Sequence, residues 1–542
     1  MQSIIKFATI FITAFSTLSS LAQIEQVEPP NWWVGMQHTQ LQLLIHGKAI
    51  GETKPVLQYP GVKILKATKG DSKNYLFVDL IIEKNTRPGN INLQFIQNGK
   101  IVYQHAYPLL QRQKGSANLK GFNSSDVIYL ITPDRFANGT ETNDVVPGMR
   151  EQKINRANVG ARHGGDIQGM INHLDYIKEM GFTAIWPQPM LENDMAAYSY
   201  HGYSITNHYR VDPRYGDLAI YKTLSQQARE RGIKLIFDGV VNHIGVNYWW
   251  MQDLPFKDWI NHADTPVITN HKRTTIEDIY ASQYDKALQT NGWFDNTMPD
   301  MNGKNPFMAN YLIQNSIWWI ETLQLGGLRQ DTYCYSDKTF LKNWSCRIMQ
   351  EYPDFNMVGE EWSINPLITS YWQRNKKNHD GYSGCLKTVM DFPLQAALVK
   401  ALTYKEVSKW DDGMTKLYEG LANDFIYPNP NDILVMGDNH DMDRLFTQLN
   451  RDVDLTQMAL GYLLTIRGIP QIYYGTEILM ENSEHPNDHG WIRSDFPGGW
   501  KTDSVNAFTG KGLTIDQKNT QSYLKQLLQW RKNNDVIATG ST

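Results

Sequence analysis

Cysteine is scarce in this chain: Cys334, Cys346 and Cys385 are the only three in 542 residues. Their number is odd and no pair has the spacing of zinc ligands, so all three are expected to be buried small hydrophobes. Cys334 stands close to an acidic motif and is expected to line a site without serving as a nucleophile. Basic stretches are missing too, and the formal net charge is −4, which argues against nucleic acid as a partner. Neither a repeat nor a low-complexity tract is present. The N-terminal apolar run, Phe7–Phe15, is too short to span a membrane. With Lys6 before it and Ser20-Leu21-Ala22 after it, residues 1–22 read as a secretory signal, the mature chain starting near Gln23. That implies a periplasmic or secreted protein. No cysteine stands at the cleavage point, which speaks against a lipoprotein anchor.

Aromatic residues are abundant at 12%, with 16 Trp and 28 Tyr. Two readings stay open: a large aromatic core, or platforms that stack on the C–H faces of sugar rings. The length calls for two or three domains. Residues 23–118 carry short, partly alternating runs such as NYLFVDLII and NINLQFIQ, punctuated by Gly, Pro, Asn and Lys. They predict an immunoglobulin-like β-sandwich. Trp32 and Trp33 in it could stack glucose or anchor the domain. From Phe122 the pattern becomes strand–helix alternation. Eight apolar runs stand out: VIYLIT, FTAIWP, IKLIFDGV, GGLRQD, NMVGEE, LKTVMDF, DILVMGD and IPQIYY. Helical faces lie between most of them, among them Ile167/Met170/Ile171/Leu174/Ile177, Ile313/Ile317/Ile320/Leu323 and Leu524/Leu527/Trp530. Eight such units predict a (β/α)8 TIM barrel over 119–538. A polar, aromatic stretch after the third strand, Tyr248–Ala309, reads as a subdomain (244–310) inserted over the barrel mouth.

Several of the runs end in acidic residues. Asp331 closes GLRQD, Glu360 closes NMVGE, Asp441 follows ILVMGDNH, and LIFDGVVNH carries Asp238, Asn242 and His243. Taken alone, an Asp after a strand reads as a helix N-cap. Four such clusters at strand ends favour one shared mouth, because side chains at the C-terminal ends of barrel strands converge there. Carboxylates in one mouth, with His243, His440 and Arg329 beside them, are the parts that cleave a glycosidic bond.

At these residues the sequence resembles the α-amylase family of glycoside hydrolases (family 13). It is most similar to the neopullulanase and cyclomaltodextrinase branch, as found in Bacteroidetes-type starch utilisation. The resemblance rests on YHGYSITNHYRVDPRYG (Tyr200–Gly216), DGVVNH (Asp238–His243), MPDMN (Met298–Asn302), GLRQDTY (Gly327–Tyr333), VGEEW (Val358–Trp362), GDNHD (Gly437–Asp441), GIPQIYYGTE (Gly468–Glu477) and DHGWIRSDFPGGW (Asp488–Trp500), in that order. It implies that Asp331 is the nucleophile, kept ionised by Arg329, that Glu360 is the acid/base, and that Asp441 is a third carboxylate gripping sugar hydroxyls. Glu361 competes with Glu360 for its role. His243 and His440 match histidines that bond the sugar, Tyr203 the ring stacked on it, with His201 and Asp238 nearby. The expected activity is retaining hydrolysis of α-1,4-glucosidic bonds in cyclomaltodextrins, pullulan or malto-oligosaccharides. A 4-α-glucanotransferase on the same site, or a silent glucan-binding barrel, are the alternatives. A homodimer is one role open to the sandwich.

Asn138, Thr140, Asn143 and Asp144, with the Gly164 carbonyl and Asp166, form an oxygen-rich set suited to structural calcium. Related cyclodextrin-active enzymes bind calcium at a similar string. Thr140 departs from the usual Asn or Asp, and an Asx-type polar turn is the alternative. The family usually continues into an all-β C-terminal domain, of which 539–542 would be a truncated start.

Overall fold

A computed structural model describes residues 24–404 and 410–540. The expected signal segment, 1–22, lies outside the described residues. Of 539–542, only Thr539 and Gly540 are described, at the end of a short helix, Asp535–Thr539.

The N-terminal runs form eight strands: β1 (Gln26–Glu28), β2 (Trp32–Val34), β3 (Gln40–His46), β4 (Lys54–Val56), β5 (Val62–Lys69), β6 (Tyr75–Ile82), β7 (Gly89–Gln97) and β8 (Lys100–Gln111). They make two four-stranded sheets, ordered β1-β3-β6-β5 and β2-β8-β7-β4. Strand β7 shows the alternation that builds such a sandwich: Ile91, Leu93 and Phe95 are buried, and Asn90 and Asn92 are exposed. Strand β6 is buried almost throughout, because its outer face is covered as well. Trp32 and Trp33 are both buried, so they anchor the domain.

All eight later runs become barrel strands. They are β9 (Ile128–Ile131), β10 (Ala184–Pro187), β13 (Lys234–Gly239), β14 (Gly327–Gln330), β15 (Met357–Gly359), β16 (Thr388–Met390), β17 (Ile433–Met436) and β18 (Ile469–Tyr473). A small antiparallel ribbon, β11 (Leu191–Glu192) with β12 (Asn207–Val211), sits between β10 and β13. The eight strands pair in parallel and close when β18 meets β9. Most of their residues are buried, which is why they read as unbroken apolar runs.

The helix faces largely follow the expected period, though the 167–177 face is split at His173 into helices Ile167–Asn172 and Leu174–Met180 with Ile171 only partly covered, and one face needs a correction. In Ile515–Lys532 the buried apolar positions are Leu524 and Leu528; Leu527 is only partly covered and Trp530 is 43% exposed. Thr520 and Arg531 complete that face, so a polar residue at each end hid its true register. The cysteines need a second correction. Cys346, in helix Lys338–Glu351, forms a disulfide with Cys385, in the segment before β16, with Cα atoms 4.9 Å apart. A separation of 39 residues gives no sequence sign of it. The pairing arises because that segment folds back on the helix, where the Cys385 N–H donates to Ser345 Oγ. Cys334 is buried and free.

The insertion packs in two directions. Tyr75 and Phe77 of β6 meet it from the sandwich side: the Phe77 ring lies 5.2 Å from Phe256 and 5.8 Å from Trp259. Asp253 Oδ2 accepts from Ser72 Oγ and Asn74 Nδ2, both at 2.8 Å. Its inner side contributes to the barrel mouth, and helix Pro306–Leu323 leads back to β14. A buried ion cluster adds to the seam, where Arg112 of the sandwich side meets Glu321 and Glu351 of the barrel helices.

Candidate active site

The parallel register sets Asp238 of β13 beside Arg329 of β14, and Gln330 of β14 beside Gly359 of β15. Asp331 and Glu360 are the next residues on, at the mouth. There they meet one cavity of about 520 Å³, within the range of small-molecule sites. Asp331, Glu360, Asp441, His201, Tyr203 and His243 all line it. Asp238, Arg329 and His440 stand behind this lining and are fully buried. The cap reading separates the strand-end acids: Asp391, after β16, accepts from Leu394 N–H and caps the next helix, while Asp331 and Glu360 cap nothing.

Arg329 organises the centre. Its Nη1 donates to Asp238 Oδ1 and to Asp331 Oδ1, each at 2.8 Å. Its Nη2 lies 2.8 Å from Glu360 Oε2. One planar guanidinium therefore holds both carboxylates on adjacent nitrogens. Thr332 adds a bond to each, its Oγ1 to Asp331 Oδ2 at 3.1 Å and its N–H to Glu360 Oε2 at 3.0 Å. Glu361 points elsewhere: its Oε2 accepts from Trp372 Nε1 at 2.8 Å, and it does not line the cavity. The competition between Glu360 and Glu361 for the mouth is thus decided by direction.

The electrostatics are set by burial first. Burial pushes Glu360 up, Arg329 opposes it, and the charges of Asp331 and Asp441 push it further up. Asp331 was expected below the usual carboxylate range because of Arg329. Instead burial outweighs the guanidinium and raises it. Asp331 has two side-chain hydrogen bonds holding its charged form, against one backbone bond for Glu360. The arrangement therefore favours Asp331 as the ionised member. Burial lifts Asp238 to about 7, with Arg329 opposing. Asp441 behaves oppositely: burial works against its charge, but His440 and Arg493 hold it well below the ordinary range. Burial lowers His201 to about 3 and His243 to about 4, so both rings are neutral at neutral pH.

Around the rim, Tyr203 OH donates to Asp238 Oδ2 at 3.0 Å and lies 2.7 Å from His440 Nε2. His440 Nε2 is also 3.0 Å from Asp441 Oδ2. The Tyr203 and His440 rings lie 5.5 Å apart and nearly parallel, and the His201 ring lies 5.9 Å from Tyr203 with its plane 20° away. Residues not singled out from the sequence also line the cavity: Arg273, Phe294, Asp295 and Met298 from the insertion, Thr332, Tyr335 and Trp362 from strand ends, and His489 and Arg493. Arg493 pairs with Asp441 and donates to the His440 carbonyl at 2.8 Å. The DHGWIR string at 488–493 carried both His489 and Arg493 and was the available signal. Among the insertion residues only Met298, which opens the MPDMN string, left a sign; Arg273, Phe294 and Asp295 sit on irregular backbone and left none. Cys334 lines the cavity as expected, and burial pushes its thiol well above the ordinary value, which suits no nucleophile.

The oxygen-rich set also comes together. Asn138 Nδ2 donates to both oxygens of Asp144, at 2.9 and 3.1 Å. Asp166 Oδ1 accepts from Gly139 N–H at 3.0 Å and from Gly169 N–H at the start of the next helix. Thr140 N–H donates to Asn138 Oδ1 at 3.1 Å. Gly164, with φ +95°, runs so close that a Cβ there would sit 2.7 Å from Asp144 Oδ1. Two oxygens, Asn143 Oδ1 and Asp166 Oδ2, are buried without a partner.

Comparison with known proteins gives the family. Residues 130–535 match the model of the α-amylase catalytic domain, and 26–113 that of the cyclomaltodextrinase N-terminal domain. The chain belongs to the α-amylase family. It is 27% identical over 427 residues to a cyclomaltodextrinase of Thermoanaerobacter pseudethanolicus, covering 78% of this chain and 66% of that one. It is 29% identical over 373 residues to neopullulanase 2 of Thermoactinomyces vulgaris, covering 67% and 57%. The chain thus spans two thirds or less of the length of these relatives. Among solved structures, the acarbose complex of an α-amylase from Geobacillus thermoleovorans is 30% identical with a TM-score of 0.61, covering 77% of this chain and 80% of that one. Among the described residues, no helix of this family member is long and apolar enough to cross a membrane.

Proposed function

We propose that the chain is a retaining α-glucan hydrolase that cleaves α-1,4-glucosidic bonds of cyclomaltodextrins, pullulan and malto-oligosaccharides. The observation that carries this reading is the single guanidinium of Arg329 gripping Asp331 and Glu360 at 2.8 Å each in one cavity. A retaining enzyme needs two carboxyls about 5–5.5 Å apart, one a nucleophile and one a proton donor. Asp331, the more strongly hydrogen-bonded of the two, attacks the anomeric carbon. Glu360 has its Oε2 occupied by Arg329 and Thr332, which leaves Oε1 to give its proton to the departing glycosidic oxygen. The same carboxylate then takes a proton from water, and that water releases the sugar from Asp331 with its configuration restored. Asp441, held ionised by His440 and Arg493, accepts hydrogen bonds from sugar hydroxyls. Tyr203 presents a ring to the sugar face.

Proton NMR of fresh hydrolysate tests the chemistry: the α-anomer appears first if the reading holds, and the β-anomer first refutes the covalent step. γ-Cyclodextrin, pullulan and starch assayed side by side rank the substrates, and products longer than the substrate reveal transfer in place of hydrolysis.

Calcium belongs to the same proposal, as a structural ion at Asn138, Thr140, Asn143, Asp144, Gly164 and Asp166. The two unpartnered buried oxygens support it, as does Asp144, which burial and the neighbouring Asp166, Glu141 and Asp134 raise to about 6. A hard cation would neutralise these carboxylates and tie the 138–144 loop to the helix that Asp166 caps. A periplasmic or secreted location is supported by the disulfide, a feature of oxidising compartments. A homodimer through the sandwich completes the proposal, and molar mass by light scattering tests it.

A further inference from the structure

The turn that carries Asp331 is strained. Thr332, the next residue, has φ +43° and ψ +46°. That left-handed backbone is costly for a β-branched residue, so its surroundings must hold it. The peptide joining Asp331 to Thr332 is gripped at both ends. Its N–H donates to Glu360 Oε2 at 3.0 Å, and its C=O accepts from Gln330 Nε2 at 2.9 Å. A trans peptide is planar with these two groups pointing opposite ways, so the Gln330 amide fixes the tilt of the plane that meets Glu360.

Gln330 acts from behind the mouth. Side chains alternate along β14: Arg329 points into the barrel, and Gln330 points back toward the helices. There it lines a separate cavity of about 10 Å³, together with His208 of β12, Val240, and Asn315 and Ser316 of helix Pro306–Leu323. That space suits one water molecule. Two polar atoms of these residues, Gln330 Oε1 and His208 Nε2, are buried without a hydrogen-bond partner among the described residues, although the Val240 backbone lies near enough to act on the ring. His208 is otherwise held firmly. Asn315 Nδ2 and Trp319 Nε1 each donate to its carbonyl at 2.9 Å. Its Nδ1 lies 3.0 Å from Tyr248 OH, which lies 3.2 Å from Tyr311 OH, and Tyr311 OH donates to Glu28 of the sandwich at 2.9 Å. Burial keeps the ring neutral, lowering it to about 3, so its other nitrogen can bond a water as donor or as acceptor.

Resting on the hydrolase reading, we propose that Gln330 is a positioning residue for both carboxyls: its amide, steadied from behind by one water shared with His208, clamps the Asp331–Thr332 peptide. The clamp keeps Thr332 in its strained conformation and its N–H on Glu360. Without it the peptide rotates to relieve the strain, and Glu360 loses that bond.

Kinetics on maltoheptaose test the clamp. Gln330→Met keeps the size of the side chain and removes the amide. It is expected to lower kcat about tenfold, as loss of one buried hydrogen bond would, and to move KM by less than about twofold, since Gln330 does not line the catalytic cavity. A kcat within about twofold of native overturns the proposal. So does a fall in kcat matched by the folded fraction in circular dichroism, which would make the role merely structural. His208→Phe is expected to lower kcat about threefold, and the double variant to fall no further than Gln330→Met alone, because the two residues share one water. Effects that multiply overturn the clamp. If a variant fails to fold, or if native protein cleaves no α-glucan and the hydrolase reading fails, a high-resolution crystal structure of native protein decides. A water bonded to both Gln330 Oε1 and His208 Nε2, with Thr332 at positive φ, supports the clamp; no such water, or a relaxed Thr332, overturns it.

Discussion

Arg329→Lys is the sharpest perturbation of the site, because it keeps the charge and removes the geometry. In the native site Nη1 serves Asp238 and Asp331 while Nη2 serves Glu360, each contact at 2.8 Å. An ammonium is a compact point charge on a shorter reach and cannot span the same two carboxylates as a planar fork. At least one contact, to Asp331 or to Glu360, is lost. A hydrogen bond to a charged group is worth about 1.5–3 kcal/mol, which at about 1.4 kcal/mol per decade is roughly a 10- to 150-fold fall in kcat. Arg329 opposes the upward push on both carboxyls, so weakening it moves both limbs of the pH–rate profile to higher pH. Steady-state kinetics on maltoheptaose across pH measures both effects, with circular dichroism confirming the fold. A variant with kcat within twofold of native and an unmoved profile would refute the claim that this fork sets the two carboxyls.

Further outcomes follow from single features. Asp331→Asn should abolish turnover while calorimetry still detects maltoheptaose; a variant near the native rate removes Asp331 from its role. Replacing Cys346 and Cys385 with Ser opens a 39-residue separation and should cost about 4 kcal/mol in urea unfolding by the loop-entropy relation. Dialysis against EGTA should lower Tm and calcium should restore it, a response that Asp144→Asn removes; an indifferent Tm ends the calcium proposal. Glu28 is buried with one partner, Tyr311 OH at 2.9 Å, and burial raises it from 4.5 to about 7. A raised acid stabilises the fold below its unfolded value and loses that contribution as pH rises through about 7, here on the order of 3 kcal/mol. Glu28→Gln should therefore flatten the decline in Tm between about pH 5 and pH 8, and an unchanged slope assigns that decline to other groups.

What could be read from the sequence was whatever the barrel repeats. A strand buried on both faces must be a short apolar run, as ILVM of β17 is, and its first polar residues then mark the mouth. That is why Asp331, Glu360 and His243 stand out in the sequence itself. The wall made by Arg273, Phe294 and Asp295 does not, because it is carried on turns whose direction no period encodes. The disulfide was hidden for a related reason, since Cys346 and Cys385 meet through tertiary packing across 39 residues. The direction of the Asp331 shift also escaped the sequence. Pairing with Arg329 is legible two residues away, whereas the depth of burial that outweighs it belongs to the whole mouth.

The aromatic excess has a place in this argument. Most of the tryptophans are interior, with Trp186, Trp250, Trp259, Trp318, Trp319, Trp344 and Trp372 among the largest fully buried side chains. Trp250 and Trp259 belong to the insertion, and their neighbours include Tyr311 of the barrel helix and Phe77 of the sandwich. Thus the insertion is not a lid hinged over the mouth but a wall braced from behind by β6. Its inner residues, Phe294 and Asp295, reach the catalytic cavity, while its outer ones, Phe256 and Trp259, rest on the sandwich. Aromatic pairs add about 0.5–1.5 kcal/mol each beyond area burial, so several in one seam make its separation costly. The sandwich is therefore joined to the site through the insertion, whose outer aromatics pack on β6 while its Arg273, Phe294 and Asp295 line the catalytic cavity.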